Sequence, residues 1–184
     1  LYQENLLAKY YLKQGHNVTV IASNYTSVID YYKGKKIKII KPNSYFVNSL
    51  KIIRLNYKIN FFNKIRLLKG LKQHVVEERP DVIYVHGFPL NLYSSIKHKE
   101  VRTNIVFDSH ADLNNTGNNW LSLNILHGVF YKLILKKLLH KIDNFFYITP
   151  HGGNFVNEIY KIPYKSMSLL PLGADIDYIK WLKK

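Results

Sequence analysis

The chain predicts an α/β fold: a doubly wound, mostly parallel sheet with helices on both faces, in α/β/α layers. Three observations predict it. Short apolar, β-branched runs alternate with segments of helical spacing along the whole chain. Several of those runs stop on polar residues, as buried parallel strands do at a ligand-facing edge. A length of 184 residues with 47% apolar content is enough for a real core.

The elements follow in order. Leu6, Leu7, Tyr10 and Tyr11 recur at helical spacing and Gly15 is a natural stop, so residues 2–14 read as a helix. Asn17–Ala22 reads as a buried strand ending at Ser23-Asn24. A chain that opens on a helix and then enters such a strand reads as though a first strand and its loop had been cut away. Lys36–Lys41 and Lys51–Leu55 are β-like, with Pro42-Asn43 breaking between them. From Phe61 to Glu78, Phe62, Ile65, Leu68, Leu71 and Val75 fall at three- and four-residue steps, with Lys64, Arg66, Lys69 and Lys72 between. That spacing predicts a basic amphipathic helix, of the kind that lies on membrane surfaces or packs as an ordinary surface helix.

Arg79-Pro80-Asp81 ends it, and Val82–Val85 is a short strand that stops at His86-Gly87. Leu90–His98 reads as a helix and Asn104–Phe107 as the next strand. Residues 113–119 form a polar loop. Trp120–Lys141 is a long helix with apolar residues on one side and Lys on the other. Phe145–Thr149 is a strand closed by Pro150, and His151-Gly152-Gly153 opens a helix through Tyr160. Ser168–Leu170 is the last strand, left by Pro171-Leu172-Gly173. Asp175-Ile176-Asp177 then reads as a chain-exit turn rather than a metal–nucleotide site.

Charge is the strongest bulk signal. Lys+Arg is 27 against 12 Asp+Glu, a net of +15. Lys51, Arg54, Lys58, Lys64, Arg66, Lys69 and Lys72 occur with no acid between Lys51 and Val76, and Lys132, Lys136, Lys137 and Lys141 with none between Leu113 and Ile142. Such clusters call for an anionic partner, or else are solvated faces of a Lys-rich chain. With no cysteine, neither disulfides nor thiolate metal sites are available. No apolar run reaches membrane-spanning length, and no signal-peptide pattern opens the chain.

The chemistry concentrates where Asn104–Phe107 stops, on Asp108-Ser109-His110-Ala111-Asp112: an acid, a hydroxyl, an imidazole and a second acid. A His at a strand's carboxyl end titrates near neutral pH and can move protons. On spacing alone the plainer reading has Asp108 capping the next turn and His110 satisfied in the loop. His86 ends the preceding strand, so a metal pair with His110 is conceivable, but two ligands without a third at known spacing do not define a site. The amides at His151-Gly152-Gly153 could hold an anion, though a simple helix entry explains them. No G-x-G-x-x-G, Walker A loop or G-x-S-x-G is present.

The order of these segments resembles the N-terminal domain of family-4 glycosyltransferases, which have the GT-B fold. Leu7-Ala8-Lys9 to Gly15-His16-Asn17-Val18-Thr19-Val20-Ile21 is similar to that family's first helix and "GH-x-VTV" strand. Pro80-Asp81-Val82-Ile83-Tyr84-Val85-His86-Gly87 resembles its "PDV-x-H-x-H" strand, and Phe107 to Asp112 its "D-x-H" segment. Ile148-Thr149-Pro150 falls where the family ends a strand on a small polar residue. Tyr160-Lys161-Ile162-Pro163 through Leu170-Pro171-Leu172-Gly173-Ala174-Asp175 resembles the run leading into its second domain. Ser109-His110-Ala111-Asp112, with Asn118-Asn119-Trp120-Leu121-Ser122 and Ile125-Leu126-His127, is similar to a subgroup linked to bacterial capsule and surface-polysaccharide assembly.

The resemblance implies residues 1–172 as a Rossmann-like, acceptor-side half of a GT-B enzyme and 173–184 as an exit toward a second domain. It implies a retaining transfer of sugar from a nucleotide diphosphate donor, with no metal or other cofactor. The partners are then a nucleotide sugar and a glycan or lipid-diphosphate-linked acceptor, with no nucleic acid. His110 and Asp112 are the implied catalytic pair. His86, Gly87, Asp108, Ser109, Thr149 and His151 would line the acceptor side, and Lys64, Arg66, Lys69 and Lys72 would meet an anionic membrane surface. The implied location is the cytoplasm, peripheral on the inner face of the plasma membrane. The glycine-rich loop after the family's first strand and the paired-glutamate motif of its second domain are missing from these residues, so this piece alone is expected to be inactive and hard to fold unaided. The alternative is a non-catalytic module binding nucleic acid or lipid phosphate. The 15 Tyr and the charge favour it, while the dispersal of the Tyr and the lack of zinc-finger or RRM signatures oppose it.

Overall fold

The structure, a computed structural model, describes residues 3–25, 39–62, 64–87, 89–96, 103–114, 116, 119–171 and 173. Its backbone contacts divide the chain into two units, one up to Leu71 and one over Lys72–Pro171. Each is mixed α/β, and the second carries the parallel sheet expected of a Rossmann-like GT-B half.

In the first unit, helix α1 (Gln3–Lys13) ends at Gly15, whose φ of 85° supplies the left-handed stop. Strand β1 (Thr19–Ser23) pairs in parallel with β3 (Leu50–Leu55), and β2 (Asn43–Val47) lies antiparallel on β3's other side. The β2–β3 hairpin turns on Asn48-Ser49, both at positive φ (47° and 69°), as a two-residue primed turn requires. The strand before β3 is therefore Asn43–Val47, where Pro42-Asn43 reads as a break. Of Lys36–Lys41, residues 36–38 lie outside the described residues, and Ile39 makes only an isolated bridge to Tyr25.

The basic helix expected over 61–78 forms only at its end. Tyr57–Phe61 (β4) and Ile65–Leu68 (β5) make an antiparallel hairpin, and helix α2 spans Leu71–Glu78. Gly70, at φ 75°, separates the two. Ile65 and Leu68 stand at a helical step, but two residues over so short a window do not decide the element. Pairing with Tyr57–Phe61, which alternates apolar with Lys58 and Asn60, decides it. Lys64, Arg66 and Lys69 therefore share no helical face with Lys72. Arg66 is buried, its guanidinium 6.0 Å from the Tyr57 ring centroid.

The second unit holds four parallel strands in sequence order: β6 (Val82–His86), β7 (Asn104–Ser109), β8 (Asn144–Tyr147) and β9 (Ser168–Leu169). Helix α3 (Pro89–Ile96) follows β6. A helical stretch from Trp120 follows β7, first as an eleven-residue π-helix (Leu121–Tyr131) and then as α4 (Lys132–Leu138) with a closing 3₁₀ turn. Helix α5 (Pro150–Glu158) follows β8. The core is one apolar cluster in which Leu92, Ile105, Leu135 and Val156 are fully buried, with Phe107 and Phe155 nearly so. Burying each such side chain contributes about 1.5–3 kcal/mol.

Polar residues pin the sheet's entry edge. Asp143 accepts the Ile105 N–H at 2.7 Å and returns its own N–H to the Ile105 carbonyl at 2.9 Å. Strand β7 runs two residues further than its apolar pattern, so Asp108 and Ser109 are its last residues rather than the start of a loop. Among the described residues, no helix is long and apolar enough to cross a membrane.

Candidate active site

Strands β6 and β7 run in register from Val82↔Asn104 to His86↔Asp108. Side chains alternate between the faces of a strand. Tyr84, His86 and Asp108 therefore share one face at the carboxyl end of the sheet. His110, two residues past Asp108, returns to the same face.

All four meet at one atom. Oδ2 of Asp108 lies 3.0 Å from the Tyr84 hydroxyl, 2.9 Å from Nδ1 of His86 and 3.1 Å from Nε2 of His110. Burial pushes the Asp108 carboxyl up, but hydrogen bonds from His110 and His86, together with the charge of both rings, outweigh it and bring the group down to about 2. An ionised carboxylate offers only lone pairs. Tyr84 O–H, His86 Nδ1–H and His110 Nε2–H must therefore all donate, which fixes the tautomer and tilt of each ring. Asp108 itself is buried, whereas the His86 and His110 side chains are 23% and 32% exposed. Solvent and ligands reach the imidazoles and not the group that orients them.

Gly87 leaves β6 at φ 65°, donating its N–H to the Asp108 carbonyl at 3.0 Å, beside the His110 ring. Helix α5 comes close on the other side. A Cβ on Gly152 would lie 3.4 Å from the Ala111 carbonyl, and one on Gly153 would lie 2.8 Å from the Tyr147 ring. These two glycines let the helix start approach the strand and the residue after His110.

Of the remaining expected residues, Ser109, Asp112 and Thr149 bond to backbone groups. Ser109 points to the opposite sheet face from Asp108 and accepts the Ala111 N–H at 3.4 Å. Asp112 organises its own loop, its carboxylate accepting the Asn114 N–H at 2.8 Å and its carbonyl the Thr116 hydroxyl at 2.6 Å. Thr149 caps α5, taking the Gly152 N–H at 3.0 Å, with Pro150 at the first helical position. Gly152 and Gly153 are buried and both their amides are bonded within that turn, so the helix start is an entry and not an open anion cradle. His151 is exposed on it.

The family model described as Glycosyltransferase Family 4 matches residues 5–178, nearly the whole chain. The chain belongs to glycosyltransferase family 4. No curated protein matches it. The Pro80–Gly87 and Phe107–Asp112 segments of this glycosyltransferase domain are the two that build the carboxylate–imidazole cluster.

The cluster raises the question of a metal. Nδ1 of His86, Nε2 of His110 and a carboxylate oxygen of Asp108 lie within 4.8 Å of one another, and Oδ1 of Asp108 is buried with no hydrogen-bond partner among the described residues. A divalent ion would need both ring nitrogens stripped of the protons they now donate to Asp108. As it stands, Oδ2 takes all three hydrogen bonds and Oδ1 takes none among the described residues.

Tyr84, not among the expected site residues, stands where the "PDV-x-H-x-H" strand has its first His. Its signal is its place two residues before His86 on a strand. A second polar pair lies inside the glycosyltransferase domain: His127 Nδ1 is 2.7 Å from the Tyr160 hydroxyl, both residues buried. Burial first, and Tyr131 next, hold the Tyr160 hydroxyl well above its ordinary range, so it stays protonated and donates to His127.

Proposed function

We propose that the chain is the acceptor-side half of a retaining glycosyltransferase that moves a sugar from a nucleotide diphosphate donor to a glycan or lipid-diphosphate-linked acceptor in cell-surface polysaccharide synthesis. The observation that carries this reading is the buried Asp108 carboxylate gripping His86 and His110 at the carboxyl ends of neighbouring parallel strands, in a chain of glycosyltransferase family 4. Ligands of open α/β sheets sit at that edge.

In this reading His110 touches the transferred sugar with its exposed edge, and His86 with Gly87 lines the acceptor side. Asp108 and Tyr84 are positioning residues: they set the tautomer and angle of the rings without meeting substrate. Asp112 acts through the loop it ties together. The new glycosidic bond forms on the face from which the diphosphate departs, with no metal in the step. A second, donor-holding domain supplies the nucleotide site, so the acceptor-side half alone transfers nothing. The work takes place in the cytoplasm.

The test is His110→Ala in the enzyme comprising this half and its donor domain, assayed by release of nucleotide diphosphate from a panel of sugar nucleotides. Turnover should fall about a hundredfold or more at a temperature where the variant is still folded, its melting temperature being lowered by the lost hydrogen bond to Asp108. Full turnover in the variant would remove His110 from the chemistry. A non-catalytic anion-binding module, which the net charge of +15 favours, would show no donor turnover to lose.

A further inference from the structure

The helical stretch Trp120–Leu138 is apolar on two opposite sides. One row, His127, Tyr131 and Leu135, is buried. Offset from it by two positions, Leu121, Ile125, Val129 and Leu133 are each between 50% and 63% exposed. Because hydrogen bonds in the π segment reach back five residues, as Lys132 N–H does to the His127 carbonyl, steps of four stay on one side. The exposed row is therefore a continuous ridge. Trp120, 68% exposed, stands at its start. A soluble surface seldom leaves such a ridge bare without a partner.

Charge says which partner. No Asp or Glu occurs from Leu113 to Ile142. Lys136 and Lys137, both exposed, follow Leu133 by three and four residues and close the ridge with cations. An indole and four aliphatic side chains on one exposed side, flanked at its end by two ammonium groups, suit a helix lying flat on an anionic bilayer, with the apolar side at the headgroup–acyl boundary and the cations at lipid phosphates. The basic hairpin exposes Ile59, Phe61 and Phe62 beside Lys58 and Lys64, a shorter apolar patch gathered at the hairpin tip rather than a row along an element.

We propose that this ridge seats the protein on an anionic lipid bilayer, with Leu121, Ile125, Val129 and Leu133 entering the headgroup–acyl boundary and Lys136 and Lys137 on lipid phosphates. The helix lies on the membrane and does not span it. The proposal is independent of the transfer reaction and stands or falls without it.

The test uses the full chain carrying Trp181→Phe, which leaves Trp120 the sole indole of the two in these 184 residues. It is mixed with vesicles of phosphatidylglycerol and phosphatidylcholine, or of phosphatidylcholine alone. Sedimentation with the anionic vesicles only, with a blue shift of Trp120 emission, is the expected result. Ile125→Ser/Leu133→Ser should weaken binding about tenfold or more without lowering the melting temperature, both side chains being exposed. Lys136→Glu and Lys137→Glu should each weaken it about fivefold. Three results would overturn the proposal: no sedimentation with anionic vesicles; sedimentation unchanged by the Ser double variant, which would assign it to other cations; or a lipid-free dimer that the Ser double variant dissolves, which would make a second copy the occupant.

Discussion

Nδ1 of His86 sits 2.9 Å from Oδ2 of Asp108, its register partner across two parallel strands. The contact follows from strand pairing. Once β6 and β7 align Val82 with Asn104, the imidazole and the carboxylate have no other face to occupy.

Asp108→Asn should lower stability and flatten its acid dependence. The carboxyl stands at about 2 when folded against 3.8 when free. A lowered folded value stabilises the fold above the free value and loses that contribution as pH falls through the folded one. The difference is roughly 2 kcal/mol. Wild-type melting temperature should drop steeply between about pH 4 and pH 2, whereas the variant should melt lower at pH 7 and change little in that window. Equal slopes for the two proteins would show that Asp108 is not the titrating group.

Gly153→Ala should destabilise by about 1–3 kcal/mol, because its methyl would lie 2.8 Å from Tyr147 Cε2. Tyr147→Leu in the same chain should return part of the loss, and Tyr147→Phe should not, since it keeps the ring. Denaturant titration of the double-mutant cycle measures the coupling.

Ser49→Gly should stabilise by about 1 kcal/mol. Ser49 holds φ at 69° in the second position of the β2–β3 turn, a conformation costly for any residue with a Cβ. Asn48, at φ 47°, already suits its place. A rise in melting temperature checks it.

A chelator should leave sugar transfer unchanged, and added zinc should inhibit it by taking His86, Asp108 and His110 together. Their ligand atoms lie within 4.8 Å. The inhibition should weaken in His86→Ala. Loss of transfer on chelation would instead mark a resident ion.

The parallel half was legible because its signals are local. Val82–Val85 and Ile105–Phe107 are β-branched or aromatic runs bounded by polar residues, and Thr149-Pro150 announces a helix start. The Asp108–His110 motif located the cluster, but not which acid does the orienting. Asp108 and Asp112 are interchangeable on paper; strand alternation turns the first onto the imidazoles, while the second meets the backbone of its own loop. The first unit was harder to read. Whether Ile65–Leu68 is helix or strand depends on Tyr57–Phe61, a partner outside the window of a periodicity argument. Nor does any spacing rule reveal that Leu121–Tyr131 winds with a five-residue reach, which sets the exposed row apart from the buried one.

The arrangement of Tyr84, His86, Asp108 and His110 also says where this domain tolerates change in length. Extra residues outside the helices and strands leave the four side chains where they are. One extra residue within Val82–His86 or Asn104–Ser109 flips everything beyond it to the reverse side of the sheet, and the cluster is dismantled with no polar residue replaced.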